Sequence, residues 1–222
     1  MNDPRITPEA KKNAHIHYVV AFIGGFLGLF PVFNVVKLFG SAQTSNLIEI
    51  VYGLIGADWQ AVLLHAGGAF LYALAVFLVT FISAHSRLNI KIVSLFVDVA
   101  AAFVMWKMPD NLPKTVYLYP TFFAMSFQWS AFPGSYGFVC STIFSTNNLK
   151  QTVSALTEAF CNGKSEFKLK AKFFGATMAC YHLGVASCIL LWNVFGNAAF
   201  LFSMIPAAVA LIMILIPLRV EG

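Results

Sequence analysis

Charged residues are scarce in this sequence. Asp, Glu, Lys and Arg together make up 10% of the 222 residues, whereas 59% of the residues are hydrophobic and the mean hydropathy is +0.77. A water-soluble domain of this length needs a charged surface around its apolar core, and too few charged residues are present to form one. The composition therefore predicts an integral membrane protein whose outer surface contacts the lipid bilayer.

Cysteine is also sparse, and the motifs of common enzyme classes are missing. The four cysteines lie in or beside apolar runs without the spacing of a metal site, so we expect no disulfide, metal or cofactor. The sequence contains no HExxH, GxSxG, Walker or GxGxxG motif, so we expect no catalytic residues and no enzyme activity. The net charge of +5 is typical of basic loops in a membrane protein, and we expect no nucleic-acid partner.

Six apolar runs predict an all-α fold with six transmembrane helices in a single membrane domain of residues 1–222. Residues 1–16 are polar and are expected to form a cytoplasmic tail rather than a cleavable signal. Residues 45–56 and 146–160 have helical apolar spacing but are too short or too polar to span alone, so we expect half-helices or interfacial helices there. The predicted spans are 17–39, 61–83, 90–106, 115–139, 172–192 and 198–218.

Lysine and arginine are distributed unevenly between the two predicted sides of the membrane. With six crossings and the N-terminus inside, eleven of them face the cytoplasm, and only Lys37, Lys107 and Lys114 face outward. Such a bias predicts a protein of the cytoplasmic (inner) membrane with both termini in the cytoplasm. The eleven are Arg5, Lys11, Lys12, Arg87, Lys91, Lys150, Lys164, Lys168, Lys170, Lys172 and Arg219.

The two halves of the chain resemble each other at an offset of 102 residues. Each half, 17–107 and 115–218, has a long span, a short helix and two further spans. Three crossings per half would invert the second half relative to the first, as in many transporters and some channels. If the short helices cross as well, the halves become parallel four-span units. The matches are Phe30-Pro31 with Phe132-Pro133, Thr44, Asn46 and Leu47 with Thr146, Asn148 and Leu149, and Val51 and Leu54 with Val153 and Leu156.

Polar residues at the predicted starts of the two short helices are the main binding candidates. A helix start inside the membrane offers unpaired N–H groups and a positive dipole end, which can bind an anion or polar solute. The same residue types are also favoured as simple helix caps at the headgroup level, so both interpretations remain open. The substrate-binding candidates are Thr44, Ser45, Asn46, Gln128, Thr146, Asn147 and Asn148.

Two prolines and three titratable residues complete the candidate set. Pro31 and Pro133 lie within apolar runs and predict kinked or broken helices. Asp98 lies in the middle of a predicted span, where a carboxylate is costly, so we expect either proton coupling or a structural hydrogen-bond partner. Further candidates for coupling are Glu49 on the first short helix and His182, which lies mid-span beside Tyr181 and is expected to be a buried hydrogen-bonded or titrating group.

Two stretches carry a resemblance to a known family. They are SAQTSNLIEIVYGLIGADW in the first half and MSFQWSAFPGSYGFVCSTIFSTNNLKQTVSALTEAF in the second. With them, nearly the whole chain resembles the YoaK-like family of bacterial multi-pass membrane proteins. The family pattern has glycine where this chain carries Ser45 and Asn147, which alters how closely a ligand can approach the backbone there. The resemblance implies a multi-pass membrane protein and no particular substrate.

Three functions fit these features. The first is a small secondary transporter or permease for a polar or anionic small solute, proton-coupled through Asp98. The second is a passive solute channel with the two half-helices at a central constriction. The third is a non-transporting membrane scaffold or sensor that acts through the basic loop 164–172. Because six spans are few for enclosing a pathway, a homodimer is a further expectation.

The predicted topology is testable with an epitope tag at either terminus. Each tag should be labelled by an impermeant reagent in inside-out vesicles and protected in right-side-out vesicles, because the positive-inside bias places both termini in the cytoplasm. A loop tag between residues 107 and 115 serves as the control and should show the reverse pattern. Labelling of either terminus from the outside would contradict the six-crossing arrangement.

Overall fold

A computed structural model describes residues 3–34, 43–109 and 111–217 of the chain. The described chain is almost entirely helical, which confirms the predicted all-α class. The helices are α1 (Pro8–Leu27), α2 (Phe30–Asn34), α3 (Gln43–Ile55), α4 (Trp59–His85), α5 (Ile90–Lys107), α6 (Tyr119–Ala131), α7 (Ser145–Leu156), α8 (Lys168–Phe195) and α9 (Met204–Leu215), and a short hairpin is formed by β1 (Gly134–Ser135) and β2 (Phe138–Val139).

Three helical stretches of the described chain are long and apolar enough to cross a membrane. They are Pro8–Phe33, Trp59–His85 and Ser165–Leu215. Their length and composition indicate a membrane protein. The third stretch contains both α8 and α9, which are separated by a 3-10 segment, Gly196–Ser203, whose first residue has a φ of 55°.

Helix α1 begins earlier than the sequence pattern predicts. Thr7 caps it by accepting a hydrogen bond from the Ala10 N–H at 3.1 Å, and Pro8 occupies the first helical position. Ala14 and Ile16 are already buried on its inner face. The expected tail of sixteen residues is therefore too long. The polar residues between Pro8 and Ile16 belong to the solvated side of a helix rather than to a loop.

The predicted single span over 115–139 is also wrong. A 3-10 turn at Lys114–Leu118 precedes α6, and the helix ends at Ala131. Pro133 has no N–H to continue the helix. The backbone angle φ of Gly134 is 140°, a value that residues with a side chain rarely adopt. The chain then forms the β1–β2 hairpin, in which Gly134 pairs with Val139.

Hydrogen bonds and ring contacts show which helix ends lie together. At one end, the Lys91 Nζ donates to Asn13 Oδ1 at 2.9 Å, and the Lys12 Nζ donates to the Ile214 carbonyl at 3.2 Å. The starts of α1 and α5 and the end of α9 therefore share what we call the proximal end. At the opposite, distal end, the ring of Phe30 lies 6.1 Å from that of Tyr117, whose hydroxyl donates to the Pro109 carbonyl.

The long helices of the two halves pack across each other. Helix α1 lies against α8 so closely that a side chain at Gly25 would overlap the Tyr181 carbonyl, and one at Gly184 would overlap the Phe22 carbonyl. In the same way α6 lies against α4, where the Tyr119 hydroxyl donates to the Leu64 carbonyl at 2.7 Å. The short helices stay within their own halves, because α3 packs on α4 and α7 packs on α8.

An apolar core fills the space between α1, α5, α6, α9 and the 3-10 segment. Its largest members are aromatic, and Phe200 meets Phe30 edge-to-face with ring centroids 5.1 Å apart. Met105 and Leu27 are fully buried in the same cluster. The core therefore joins the two halves into one body rather than forming separately in each.

The close α1–α8 crossing predicts that Gly184→Ala lowers the melting temperature of the purified protein in detergent. The new Cβ would meet the Phe22 carbonyl, and a forced shift of packed helices costs about 1–3 kcal/mol. Gly175→Ala on the same helix is the matched control, because its Cβ would lie 3.5 Å from Thr152 Cγ2, an ordinary contact. Equal melting temperatures for the two variants would contradict the described crossing.

Candidate functional site

Residues 132–161 leave the proximal end of α1 and return to it. Near the start of this segment, the Ser135 hydroxyl donates to the Ala10 carbonyl at 2.6 Å, and the Arg5 guanidinium lies 5.1 Å from the centre of the Phe138 ring. Just after its end, the Arg5 Nη2 donates to the Glu166 carbonyl at 3.2 Å. We call residues 132–161 the re-entrant segment.

Between these ends, the segment reaches the middle of α1. A side chain at Gly24 would overlap the Thr142 carbonyl, so the two backbones are in direct contact. Gln128 on α6 holds the same point, because its Nε2 donates to Thr142 Oγ1 at 2.9 Å and to the Val20 carbonyl at 3.2 Å. We call residues 142–147 the apex. Gly24 belongs to the central part of the stretch Pro8–Phe33, so the apex lies deep within the bundle.

Helix α7 starts at this apex. It begins at Ser145, and the preceding Phe144 provides no side-chain cap. The first N–H groups of a helix have no partner within the helix, and the dipole makes this end positive. The Ser141 hydroxyl shapes the turn by accepting from the N–H groups of Ile143 and Phe144 at 3.2 and 3.1 Å. The apex thus presents an uncapped, positive helix start.

The three polar residues predicted as caps lie in the first turn of α7 instead. Asn148 is fully buried and forms two hydrogen bonds with the backbone of Ser141: its Nδ2 donates to the carbonyl at 2.7 Å, and its Oδ1 accepts from the N–H at 3.3 Å. Thr146 and Asn147 are exposed. Asn148 therefore fixes the apex, whereas Thr146 and Asn147 are the side chains that a solute could reach.

Helix α3 in the first half has a similar arrangement. It begins at Gln43, so Thr44, Ser45 and Asn46 also lie in its first turn. Asn46 is buried; its Nδ2 donates to the His65 carbonyl at 2.9 Å, and its Oδ1 lies 2.8 Å from His65 Nδ1. Thr44 is exposed and Ser45 half-buried. At the offset of 102 residues the apex corresponds to residues 40–45. Residues 35–42, which include Lys37 and the first part of that stretch, lie outside the described residues.

The predicted substrate residues therefore have two different environments. Asn46 and Asn148 are buried, and their hydrogen bonds are to residues of their own half. Gln128 is also fully buried, but its Oε1 has no hydrogen-bond partner among the described residues. This oxygen is an open acceptor beside the apex. The other three candidates, Thr44, Thr146 and Asn147, are exposed, and their side chains take no part in the hydrogen bonds described above.

Asp98 lies on the buried face of α5 with 1% of its surface exposed. Within the described chain, neither carboxylate oxygen has a hydrogen-bond partner. Ser94, one turn earlier, and Ser203 on the 3-10 segment that packs against α5 are buried and unpartnered as well. An ionised carboxylate at such a depth costs roughly 2.5–3.5 kcal/mol on insertion scales when nothing offsets it. No structural partner of the expected kind accompanies Asp98 in the described chain.

The other two candidates for coupling lie on the outside of the bundle. Glu49 is exposed on α3, and His182 is exposed on α8. The His182 Nδ1 lies 2.8 Å from the Met178 carbonyl of its own helix. The expectation of a buried His182 is therefore wrong, because position 182 lies on the outward side of α8. The sequence reasoning missed His17, which is buried on α1 with its ring 5.3 Å from that of Phe173.

Both prolines lie where helices are interrupted. Helix α1 ends at Leu27, and Pro31 is the second residue of the short helix α2. Pro133 lies between the end of α6 and the hairpin. Within residues 3–34, 43–109 and 111–217, no group of three or more His, Cys, Asp or Glu side chains is arranged to hold a metal ion.

The proximal end also carries an ion pair outside the helices. The Arg5 Nη2 lies 2.7 Å from Asp3 Oδ2, and the hydrogen bonds from Arg5 lower the pKa of Asp3 below its usual value. Because the pair is only half-buried, we ascribe no stability to it. Its relevance is positional, since the same Arg5 also contacts Phe138 near the start of the re-entrant segment and Glu166 just after its end.

Comparison with known proteins identifies the family but no close relative. A family model described as "Protein of unknown function (DUF1275)" matches residues 16–215, so the chain belongs to this family. No curated protein and no solved structure matches the chain. The narrower resemblance to YoaK-like proteins stays a prediction.

The hydrogen bonds at the apex predict that Asn148→Ala destabilises the protein. The backbone N–H and carbonyl of Ser141 would lose their partners in a buried place, at a cost of about 1–3 kcal/mol. The melting temperature in detergent is the measurement. Asn147→Ala is the matched control and should change it little, because Asn147 is exposed. An unchanged melting temperature for Asn148→Ala would contradict the structural role of this residue.

Proposed function

We propose that this member of the DUF1275 family is a secondary transporter of a small polar or anionic solute. The observation that carries the proposal is the apex of the re-entrant segment, which brings an uncapped helix start and the exposed polar residues Thr146 and Asn147 to the depth of the middle of α1. Non-helical backbone is tolerated at membrane depth only where protein buries it or where it lines a water-filled cavity. Secondary transporters bind solutes at such interrupted helices.

In the proposed arrangement, the membrane is crossed six times. The crossings are α1, α4, α5, α6, α8 and the 3-10 segment with α9, while α3 and α7 do not cross. Support for this comes from the re-entrant segment: Ser135 near its start contacts Ala10 on α1, and Glu166 just after its end contacts Arg5, which precedes α1. Three crossings then belong to each half, and the second half is inverted relative to the first. The reciprocal packing of α1 on α8 and of α6 on α4 is what an inverted pair of repeats would produce.

The proximal end is proposed to face the cytoplasm. Arg5, Lys12, Lys91 and Lys164 lie there or in the loops that lead to it, in keeping with the positive-inside rule. The start of α1 and the end of α9 meet at this end, which supports a common side for both termini. The starts of α3 and α7 coincide with the Thr-x-Asn-Leu segments, which supports the YoaK-like identification.

The proposed solute site lies at the apex. The N–H groups of the first turn of α7 and the positive dipole end favour an anionic group. Thr146 and Asn147 add side-chain donors and acceptors, and the Gln128 Oε1 would accept from a hydroxyl or amine of the solute. Thr44 and Ser45 would play the matching part in the first half. Asn46 and Asn148 hold the two helix starts and need not touch the solute.

Asp98 favours a coupled transporter over a channel. A passive pathway needs no titratable group in the interior. A buried carboxyl such as Asp98, which has no hydrogen-bond partner among the described residues, is the type of residue that carries protons in pumps and transporters. Purified protein in liposomes separates the alternatives. A transporter accumulates solute when a pH gradient is imposed, a channel only dissipates a solute gradient, and a scaffold or sensor produces no flux.

The apex predicts that Asn147→Asp strongly reduces uptake of anionic solutes into proteoliposomes. A carboxylate at the helix start would repel an anion and occupy the positive end of α7, and a several-fold to hundred-fold loss (about 1–3 kcal/mol) is expected. Uptake is measured with a panel of radiolabelled mono- and dicarboxylates, sulfate and phosphate.

Gln151→Glu is the matched control for Asn147→Asp. It adds the same charge one turn further along α7, where the dipole effect has faded, so it should leave uptake nearly unchanged. Equal uptake by Asn147→Asp and by the native protein would remove the apex as the anion site. Equal losses in both variants would assign the effect to charge on α7 in general and would also contradict the proposed site.

A further inference from the structure

A polar cavity opens at the proximal end of the bundle. Its volume is about 250 Å³, and its polar lining comes from the starts of α1 and α5: Glu9, Lys12, Asn13, Asn89 and Lys91. We call this cavity the vestibule. Two of its lysines are held in place, since Lys91 donates to Asn13 and Lys12 donates to the carbonyls at the end of α9. Glu9 is exposed and contributes a carboxyl group to the lining of the vestibule.

One face of α5 leads from the vestibule to Asp98. Lys91, Ser94 and Asp98 follow one another at intervals of three and four residues, so they lie on one side of the helix. With a rise of about 1.5 Å per residue, Asp98 lies about 10 Å along the helix from Lys91, and Ser94 lies about 6 Å from Asp98. Ser94 is fully buried, and its hydroxyl has no hydrogen-bond partner within the described chain.

A thin apolar barrier closes this route in the described conformation. Ile16 lines the vestibule and belongs to the same buried cluster as Leu95. Leu95 follows Ser94 in the chain and is itself 3% exposed. Along α5, the vestibule residue Lys91 and the buried Ser94 are three residues, or about 4.5 Å, apart.

We propose that Asp98 exchanges protons with the proximal side of the membrane through the vestibule and Ser94, with Ile16 and Leu95 as the barrier. The Glu9 carboxylate takes up a proton from water in the vestibule and releases it to water on the Ser94 side. The Ser94 hydroxyl then accepts one proton and gives up another, so that it is unchanged after the transfer. The proton ends on the Asp98 carboxylate. This inference deepens the proposed function and rests on it, because it assigns the side from which the carrier is loaded.

Other titratable groups belong to the elements packed against α5. On α1, His17 is buried and contacts Phe173 on α8, and Glu9 and Lys12 line the vestibule. Helix α1 also carries Lys11, His15 and Tyr18. Helix α4 contributes His65, Tyr72 and His85, and α6 contributes Tyr119, whose hydroxyl donates to the Leu64 carbonyl. The sequences of the 3-10 segment and of α9 contain no titratable residue. Asp98 is therefore the carboxyl group whose protonation can be followed in this interior.

Infrared spectroscopy of the purified protein in lipid tests the route without any solute. The C=O stretch of the protonated Asp98 carboxyl is identified by its loss in Asp98→Asn, and its shift after a jump into D₂O gives the exchange rate. Ser94→Ala should slow the exchange by about ten-fold or more, because the relay hydroxyl is removed. Ser94→Thr should restore it, and Ile16→Ala should accelerate it by thinning the barrier. An unchanged rate in Ser94→Ala would overturn the route.

The side of entry is tested by blocking the vestibule. In a Cys161→Ser background, exchange in Glu9→Cys is measured before and after treatment with a bulky charged thiol reagent, which should slow the exchange at Asp98 beyond any effect of the substitution itself. His15→Cys is the control, because His15 is exposed on α1 and is not among the residues that line the vestibule. Exchange that stays fast after modification of Glu9→Cys would overturn entry from the proximal side.

These experiments can refute the proton route and the proposed transport function independently. Loss of the route would appear as unchanged exchange in the variants while the native protein still accumulates solute. Loss of the proposed function would appear as an absence of solute flux, whatever the exchange rate at Asp98.

Discussion

Every backbone N–H and C=O group inside a bilayer must find a partner within the protein, and this constraint accounts for most of the structure. Helices satisfy it without help, and the described chain is helical nearly throughout. Where the chain leaves helical geometry after Ala131, other groups take over: the β1–β2 hairpin pairs its own strands, and Asn148 pairs with the backbone of Ser141. Side chains around the apex thus replace part of the missing helical hydrogen bonds, and the uncapped start of α7 keeps its first N–H groups for a solute.

Close backbone contact is the second requirement for this arrangement. The Thr142 carbonyl touches α1 where Gly24 has no side chain. The Gln128 amide donates to both sides of this contact, at Thr142 and at Val20 on α1. The α1–α8 crossing uses Gly25 and Gly184 in the same manner. Small residues allow such approaches in membranes, where tight packing replaces the hydrophobic effect as the source of helix association.

The sequence predicts the long apolar elements well. The expected spans at 61–83, 90–106 and 172–192 agree closely with α4, α5 and α8, because apolar length and polar flanks determine them directly. It predicts the start of α1 poorly, since a helix with a solvated face reads as a polar tail. It also misses the hairpin. The residues around Pro133 are apolar and resemble a continuous span, although the backbone has positive φ values at Gly134, Tyr136 and Gly137.

The site could be predicted only in part, for a related reason. Composition and spacing located the helix starts and the costly Asp98, but they could not assign a direction to each side chain. Asn46 and Asn148 point into their own halves, whereas the neighbouring Thr44 and Asn147 point outward, and adjacent letters do not distinguish these cases. His17 was missed and His182 was wrongly expected to be buried, because both lie in apolar helices and only the packing of α1 and α8 decides which is buried.

The 3-10 segment lengthens the connection between α8 and α9. A 3-10 helix rises about 2.0 Å per residue and an α-helix about 1.5 Å, so the eight residues Gly196–Ser203 span about 4 Å more than they would as α-helix. This longer segment lies against α5, between the end of α8 and the start of α9, and at the opposite end of α9 Lys12 donates to the carbonyls of Ile214 and Ile216.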